Sequence, residues 1–548
     1  MLKWIKSGAP WVWLTGGAVS IALLSVLGLL LLIGWKGLSY FWPAPLYQWQ
    51  TEPGKILVGQ LYQQEKVSLA HLREMDYPLP EQVLQQGWAM RLNIKVANRD
   101  LYPADFVSLL DINLSEPTTP PGWAVIERSR YGDFYGKPVS YRDSSGQPQA
   151  VSTEVIASAL RFADQMHDSM QQLIDNKIRH ISEQMETLRR QKRKHELNQT
   201  LTDDFVAKAQ QRAADLQQQL SLAESELDKL RAQLAKQGLL VEDMTGTRQF
   251  IPLSQMLDVW FPNQMSLAEK LLHWAKQLGK FVSDDPRESN SEGGVFPAIF
   301  GTVLLVLIMS VIVMPLGVIA AIYLHEYARN NALTRIIRVA VINLAGVPSI
   351  VYGVFGLGFF VYSLGGSIDA LFYAERLPAP TFGTPGLLWS ALTLAVLTLP
   401  VVIVATEEGL TRIPSSVRHG SLALGATQSE TIWRIILPMV SPAILTGLVL
   451  AVARAAGEVA PLMLVGAVKL AATLPVDDQF PFLHLERKFM HLGFHIYDVG
   501  FQTANIEAAR PLVYATSFLL VTVIVGLNLT AISIRNNLRE KYRTLGQD

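Results

Sequence analysis

The chain of 548 residues contains no cysteine. That excludes a disulfide framework, a thiolate metal site and a thiol nucleophile. Charge is sparse: Asp, Glu, Lys and Arg make up 17%, and 47 acids balance 47 bases. A net charge of zero leaves no electrostatic footprint for nucleic acid. No G-x-x-x-x-G-K-[ST] occurs, so the chain has no phosphate loop, and any ATP must be handled by another subunit. H-E-x-x-H is also missing, and no Ser/His/Asp arrangement stands out. His491 and His495 are four apart, with His484 and Asp498 nearby. They read as a metal cluster or, by default, as an external loop packed at the mouth of the membrane part. No catalytic residue, metal ligand or cofactor is expected in this chain.

What is abundant is apolar surface. Hydrophobic residues reach 49%, with a mean hydropathy of +0.22. That fits a membrane protein with a sizeable part outside lipid. A bilayer core takes about 20 apolar residues as a helix. Apolar spans recur at Ser7–Trp35, Gly293–Leu324, Val339–Ile368, Leu377–Thr406, Ile435–Val468 and Pro511–Ile534. The first is longer than a signal-peptide core and has no small-residue cleavage site after it, so it reads as an uncleaved anchor. Six spans put both termini on one side. With the termini inside, the short inner segments hold twelve Lys and Arg, beginning with Lys3 and Lys6, and the outer loops hold five. The positive-inside rule favours that orientation.

The polar stretch over residues 36–292 then lies outside. Its first part, 36–150, has alternating runs such as MRLNIKV from Met90 to Val96 between Pro/Gly turns, which reads as a small mixed or β-rich lobe. Over 151–240 the period becomes helical. Met170, Ile174, Ile178, Ile181, Met185 and Leu188 form one heptad seam, and Ala213 to Leu234 form a second. A break over Asn198–Asp204, with Thr202 or Asp203 as N-cap, joins them into an antiparallel coiled-coil hairpin. The basic run Arg189–Lys194 near its tip reads as a solvated helix end, or as a contact for an acidic partner or lipid headgroups. Residues 241–292 form a connector whose amphipathic stretch Ser266–Val282 suits a membrane interface.

The loop over 407–438 is the most informative segment. Glu407 and Glu408 open it. Pro414 suits the first turn of a short helix that carries Ser421 and Ala423. Gly425 suits the left-handed position that ends it. Ala426 leads into Thr427-Gln-Ser-Glu430, a capping box for the next helix. Ile432, Trp433, Ile436 and Leu437 give that helix an apolar side, and Pro438 and Pro442 break or bend it. The result is a rigid helix–Gly–helix knob between membrane spans.

The spacing of Gly425, nine residues, then Ile435, Leu437 and Pro438 resembles the ATPase-docking loop of ABC-transporter permeases. From about Asp284 to the C-terminus the chain resembles the PstA family, permease subunits of phosphate ABC importers. DPRESNSEGGVFPAIFGT (Asp285–Thr302), NLAGVPSIVYGVFGLGF (Asn343–Phe359), ATEEGL (Ala405–Leu410), SLALGAT (Ser421–Thr427) and ARAAGEVAPLMLVG (Ala453–Gly466) carry the likeness. At the positions that name the loop, this chain has His419, Gly420 and Ser421; phosphate permeases vary there. The resemblance implies an all-α polytopic membrane protein of the type I ABC importer permease fold; the six transmembrane helices match the spans counted above, and the inserted extracytoplasmic domain, absent from compact family members, is read from the polar stretch alone. It divides into an anchor (1–35), the lobe, the hairpin, the connector, a permease domain (293–534) and a tail (535–548). The implied setting is the bacterial inner membrane. The implied partners are a homologous second permease, a dimer of ATPase subunits holding ATP and Mg, a periplasmic phosphate-binding protein, and lipid. Glu407, Glu408, Ser421, Ala423, Gly425, Ala426, Thr427, Glu430, Ile435, Leu437 and Pro438 would face the ATPase.

Arg454 and Glu458 are the ionisable residues of the fifth span. A charge at the bilayer centre costs about 2.5–3.5 kcal/mol or more, so such residues face a bundle interior or a wet cavity. Four apart, they can pair. They read either as a structural ion pair or as an anion path, since the Arg fork matches phosphate oxygens. Asn343, Gly346, Pro348 and Ser349 interrupt the third span, as a packing kink or as a cavity lining. Other readings are a permease for sulfate or molybdate, or a membrane-anchored coiled-coil scaffold or signalling component.

Overall fold

In a computed structural model the chain is described over residues 9–544, apart from 53, 69–87, 288–291, 330 and 504–505. Lys3 and Lys6 of the inner charge bias, and the ESNS segment of the first family stretch, lie outside the described residues. The chain divides into two compact units, Met1–Tyr40 with Lys280–Asp548, and Phe41–Gly279.

The second unit holds two antiparallel sheets. β1 (Leu46–Glu52), β2 (Lys55–Ser68), β3 (Trp88–Lys95) and β4 (Phe106–Leu110) form a meander in chain order. β5 (Ala124–Arg128), β6 (Phe134–Arg142), β7 (Pro148–Gln149), β8 (Gly238–Glu242), β9 (Arg248–Pro252) and β10 (Met256–Trp260) form the other. Its order is β10-β5-β6-β8-β9, with β7 on β6. This corrects the expected boundary at 150. β8 to β10 come from beyond the hairpin, so the lobe closes only at Trp260. Pairing between β6 and β8 joins residues about a hundred apart, which local alternation cannot reveal.

The hairpin is an insertion between β7 and β8. Helix Thr153–Leu173 runs through a π-turn, Ile174–Arg179, into His180–Leu197, and Asp203–Lys236 returns. Ser152 and Thr202 cap the two arms, each accepting a backbone N–H three residues on. Across the arms Lys177 Nζ donates to Glu226 at 3.0 Å and Arg212 to Gln184 at 2.9 Å. At the base, Ile156, Ala159 and Ala163 share a core with Leu227, Leu234, Phe134, Leu239 and Val241. Each large apolar side chain buried there contributes about 1.5–3 kcal/mol. The amphipathic helix Leu267–Ser283 sets His273 against Trp260 (rings 4.6 Å apart) and Lys276 on Asp258 at 2.7 Å. Leu267, Leu271 and Leu272 point away and are exposed.

Among the described residues, the first unit contains six helices long and apolar enough to cross a membrane. They are Trp11–Ser39, Phe296–Tyr327, Ser349–Phe372, Leu387–Thr411, Gln428–Gly457 and Ala509–Asn537. Spans two, four and five share a core built from Leu305, Met309, Leu394, Leu397, Val402, Ala451 and Ala455. Two-thirds of the apolar window of the fourth span is buried, more than in any other, so it is the central post (67%). The first span lies on the sixth, with Lys36 over the Tyr514 ring at 5.4 Å.

Three expectations for the spans are corrected. The third span begins at Ser349 rather than Val339. A separate helix, Ala332–Leu344, precedes it, and Pro348 occupies the N-cap position. Proline lacks the N–H that a helix interior needs but loses nothing at a helix start. The fifth helix ends at Gly457. Glu458 is extended (φ −78°, ψ 134°), and a short helix, Ala460–Val465, follows. Pro438 and Pro442 do not end their helix. A π-turn, Ile432–Ile436, precedes Pro438, the Ser441 hydroxyl donates to the Pro438 carbonyl at 2.8 Å, and the helix runs on to Gly457.

Candidate functional site

The knob is built largely from local chemistry. Helix Ser415–Ala423 starts after Pro414. It stops at Gly425, whose φ of +90° is open to glycine and strained for other residues. Thr427 and Glu430 form the capping box: the Thr427 N–H donates to Glu430 Oε2 at 2.9 Å, and the Glu430 N–H donates to Thr427 Oγ1 at 3.3 Å. Ser421 and Thr431 share a buried hydroxyl bond at 2.8 Å that ties the two helices together. Beneath, Leu410, Ile413, Ile432, Ile436 and Val440 make a small core, flanked by the half-buried Leu437.

The apex is different. Ala423 and Gly425 are exposed, Ala426 is half-buried, and Leu424 is 91% exposed. Trp433, expected on the buried side of its helix, is 62% exposed. Ile435 and Pro438 are half-buried below the knob. Glu407 and Glu408 lie in the last turns of the fourth span, not in the loop. Glu407 Oε1 meets Arg338 Nε of helix Ala332–Leu344 at 3.2 Å, and Glu408 is exposed.

Sequence reasoning missed the side chain that fastens this knob. Arg418 reaches Glu326 Oε1, at the end of the second span, with Nη2 at 3.0 Å and Nε at 3.2 Å. The same guanidinium donates to the carbonyls of Leu410 (2.9 Å) and Ile413 (3.2 Å), at the end of the fourth span. One cation thus ties the short helix to two spans. The only signal in the sequence is an acid, in His325-Glu326-Tyr327, placed at the end of an apolar run. Leu424 was also passed over, although a large apolar residue next to a helix-ending glycine is a visible cue.

The second locus is the meeting of two family stretches. Gly353 of the third span faces Pro461, and a Cβ on Gly353 would stand 2.7 Å from the Pro461 Cα. Backbones in that contact leave no room for a side chain. Tyr352 donates to the Leu344 carbonyl at 2.6 Å and lies within electrostatic reach of Arg454. Arg454 Nε and Glu458 Oε1 are 3.6 Å apart, with side chains 32% and 19% exposed. The pair therefore spans a helix end rather than one helical face. Ser349 opens the third span and is half-buried. Asn343 sits exposed in the last turns of helix Ala332–Leu344. Among the described residues, neither bonds to the Arg454–Glu458 pair.

The histidine group divides. His484 bonds to Asp477 at 2.9 Å and Glu486 at 3.2 Å. His491 and His495 are fully enclosed, and burial pushes both imidazoles down to about 4, so both are neutral near pH 7. Asp498 pairs with Lys469 at 3.2 Å. Among the described residues no group of three or more His, Cys, Asp or Glu is placed to hold a metal ion.

Residues 313–543 match the family described as "Binding-protein-dependent transport system inner membrane component". The chain is 30% identical over 267 residues to the "Probable ABC transporter permease protein YqgI" of Bacillus subtilis, covering 48% of this chain and 84% of that protein. It is 32% identical over 255 residues to the "Phosphate transport system permease protein PstA" of Yersinia pestis, covering 46% of this chain and 76% of that one. For "Phosphate transport system permease protein PstA 1" of Mycobacterium tuberculosis the figures are 32% over 244 residues, 44% and 71%. Among solved structures, the MetNI methionine ABC transporter in an inward-facing conformation aligns at 19% identity and a TM-score of 0.32, over 45% of this chain and 94% of that one. With this identity extending over most of the length of these relatives, the chain belongs to the family of ABC-importer permeases, the inner membrane components of binding-protein-dependent transport systems.

Proposed function

We propose that the chain is one permease half of an ATP-driven importer of inorganic phosphate. The observation that carries this reading is the 32% identity to two phosphate-transport permeases over more than two-thirds of each. In this reading a homologous permease completes the pathway, and two ATPase subunits, which hold the ATP and Mg, dock on the knobs. A soluble phosphate-binding protein delivers the anion. The chain sits in the bacterial inner membrane with both termini in the cytoplasm. Residues 36–292 are periplasmic, the hairpin is a coiled coil, and the exposed Leu267, Leu271 and Leu272 rest at the membrane interface.

In this reading the knob receives the ATPase stroke and the Arg454–Glu458 pair handles the anion. ATP binding draws the ATPases together and pulls on the apex around Ala423, Leu424 and Gly425. Arg418 passes the pull to the ends of spans two and four. Arg454 offers a planar fork of donors to the phosphate oxygens. Glu458 occupies that fork when no anion is present, so substrate is not held permanently. Its extended backbone lets the carboxylate swing without unwinding a helix. Ser349, at the start of the third span, and Asn343, on the helix before it, are the neutral polar residues of the proposed path.

The test is phosphate uptake in cells whose only copy carries Arg454→Ala. Loss of uptake while the ATPase still co-purifies supports Arg454 as the anion contact. Normal uptake removes it from the path and leaves a structural pair. Competition by sulfate as effective as that by unlabelled phosphate would overturn the substrate assignment.

A further inference from the structure

The hairpin is closed at its base and open toward its tip. At the base both arms bury their seams against the second sheet. Among the described residues no strand shares a core with the arms beyond the π-turn Ile174–Arg179, and two helices alone cannot cover both sides of their own seam. Met185, Leu188, Val206, Ala213 and Leu220, all seam positions, are only half-buried. They line one continuous groove between the arms. On the returning arm its floor follows steps of three, four and seven residues, through Val206, Ala209, Ala213 and Leu220. That floor runs ~21 Å, about four helical turns.

The rim carries charge. Arg189 and Lys192 border the groove with Glu186. Glu186 is 4.0 Å from Arg189, and among the described residues Lys192 has no ion pair. Arg189 and Lys192 belong to the run Arg189–Lys194, which has five cations in six positions, of which Arg193 is paired with Glu196 at 3.0 Å. A helical groove with heptad spacing and a basic edge has the form of a three-helix bundle that lacks its third member. Acyl chains have no heptad register to match, which disfavours lipid.

We propose that this groove docks one acidic amphipathic helix of a protein partner. The partner lays its apolar stripe along Met185, Leu188, Val206, Ala213 and Leu220, and its carboxylates meet Arg189 and Lys192. The site belongs to the hairpin and does not depend on the permease reading.

The cysteine-free sequence makes the test clean, because Gln210→Cys on the rim would be the sole thiol in the 548-residue chain. An environment-sensitive fluorophore placed there reports on the groove. The probe is a synthetic helix of about three heptads with Leu at a and d and Glu at e and g. The expected result is saturable binding that weakens as salt rises and falls about tenfold when Arg189→Glu and Lys192→Glu are combined. Both residues are exposed, so the double variant should fold. The proposal is overturned if no saturable binding occurs, or if a probe with Lys in place of Glu binds equally. It is also overturned if anionic vesicles shift the label through the same two residues while the peptide does not, which would make the site lipid-binding. A shift that depends on protein concentration alone would make the occupant a second copy.

Discussion

The membrane unit is held at two working places by opposite means. Where the third span meets Pro461, contact is backbone to backbone, with Gly353 leaving no room for a Cβ. At the knob, contact is made by one long side chain, with Arg418 bonded to Glu326 and to two carbonyls. The first joint has a single geometry, because close-packed backbones repel steeply. The second can lengthen, rotate and re-form, because a guanidinium with several acceptors keeps some bonds while it exchanges others. If the proposed function holds, a transporter that changes shape benefits from both: a rigid seam beside the Arg454–Glu458 pair, and a jointed fastening at the knob.

The largest predicted effect breaks the rigid seam. Gly353→Leu places a branched side chain where even a Cβ is too close, so the segments carrying Tyr352 and Pro461 must separate. Overpacking of this kind costs about 1–3 kcal/mol or more. Uptake should be abolished, and the complex should be less stable on purification. Gly358→Leu, in the same span but with open space at its Cβ position, is the control and should retain most uptake. Equal loss from both would mean that the Gly353 contact has no special role.

The second prediction addresses the jointed fastening. Arg418→Ala removes an ion pair and two carbonyl bonds, on the order of 2 kcal/mol for each bond to a charged group. It should uncouple rather than disassemble. The ATPase should still co-purify, while its stimulation by substrate-loaded binding protein falls with uptake. Exchanging the charges, Glu326→Arg with Arg418→Glu, should recover part of the coupling through the ion pair, though not the carbonyl bonds. No recovery, or loss of the ATPase from the complex, would show that Arg418 only stabilises the loop.

The same contrast explains what the sequence could reveal. Gly425 and the Thr427–Glu430 box announce themselves because capping is settled within four residues. Arg418 and Glu326 are 92 residues apart, and nothing local links them. The start of the third span was misplaced for a related reason. Helix Ala332–Leu344 exposes Leu333, Ile336 and Ile342, so its later residues merge with the next apolar run. Only the missing N–H of Pro348 separates them. The hairpin seams were legible from heptads, but the closure of the lobe around its base was not, because β8 and β10 pair with β6 and β5 on the far side of the insertion. Glu458 was placed on a helical face by counting. Its extended backbone depends on how Ala460–Val465 packs against the third span, which counting does not include.

The smallest predicted effect sharpens the comparison by testing local chemistry alone. Thr427→Ala removes the hydroxyl that accepts the Glu430 N–H and leaves Arg418, Glu326 and the core beneath the knob untouched. Loss of such a cap costs about 1 kcal/mol. If the fastening resides in Arg418, coupling should survive Thr427→Ala with uptake within about twofold of normal, and thermal stability should fall slightly. Restoring the cap with Thr427→Ser should return that stability, since serine offers the same acceptor. A Thr427→Ala variant as uncoupled as Arg418→Ala would relocate the fastening to the capping box, and the knob would then transmit force through the rigidity of its own turn rather than through a side-chain joint.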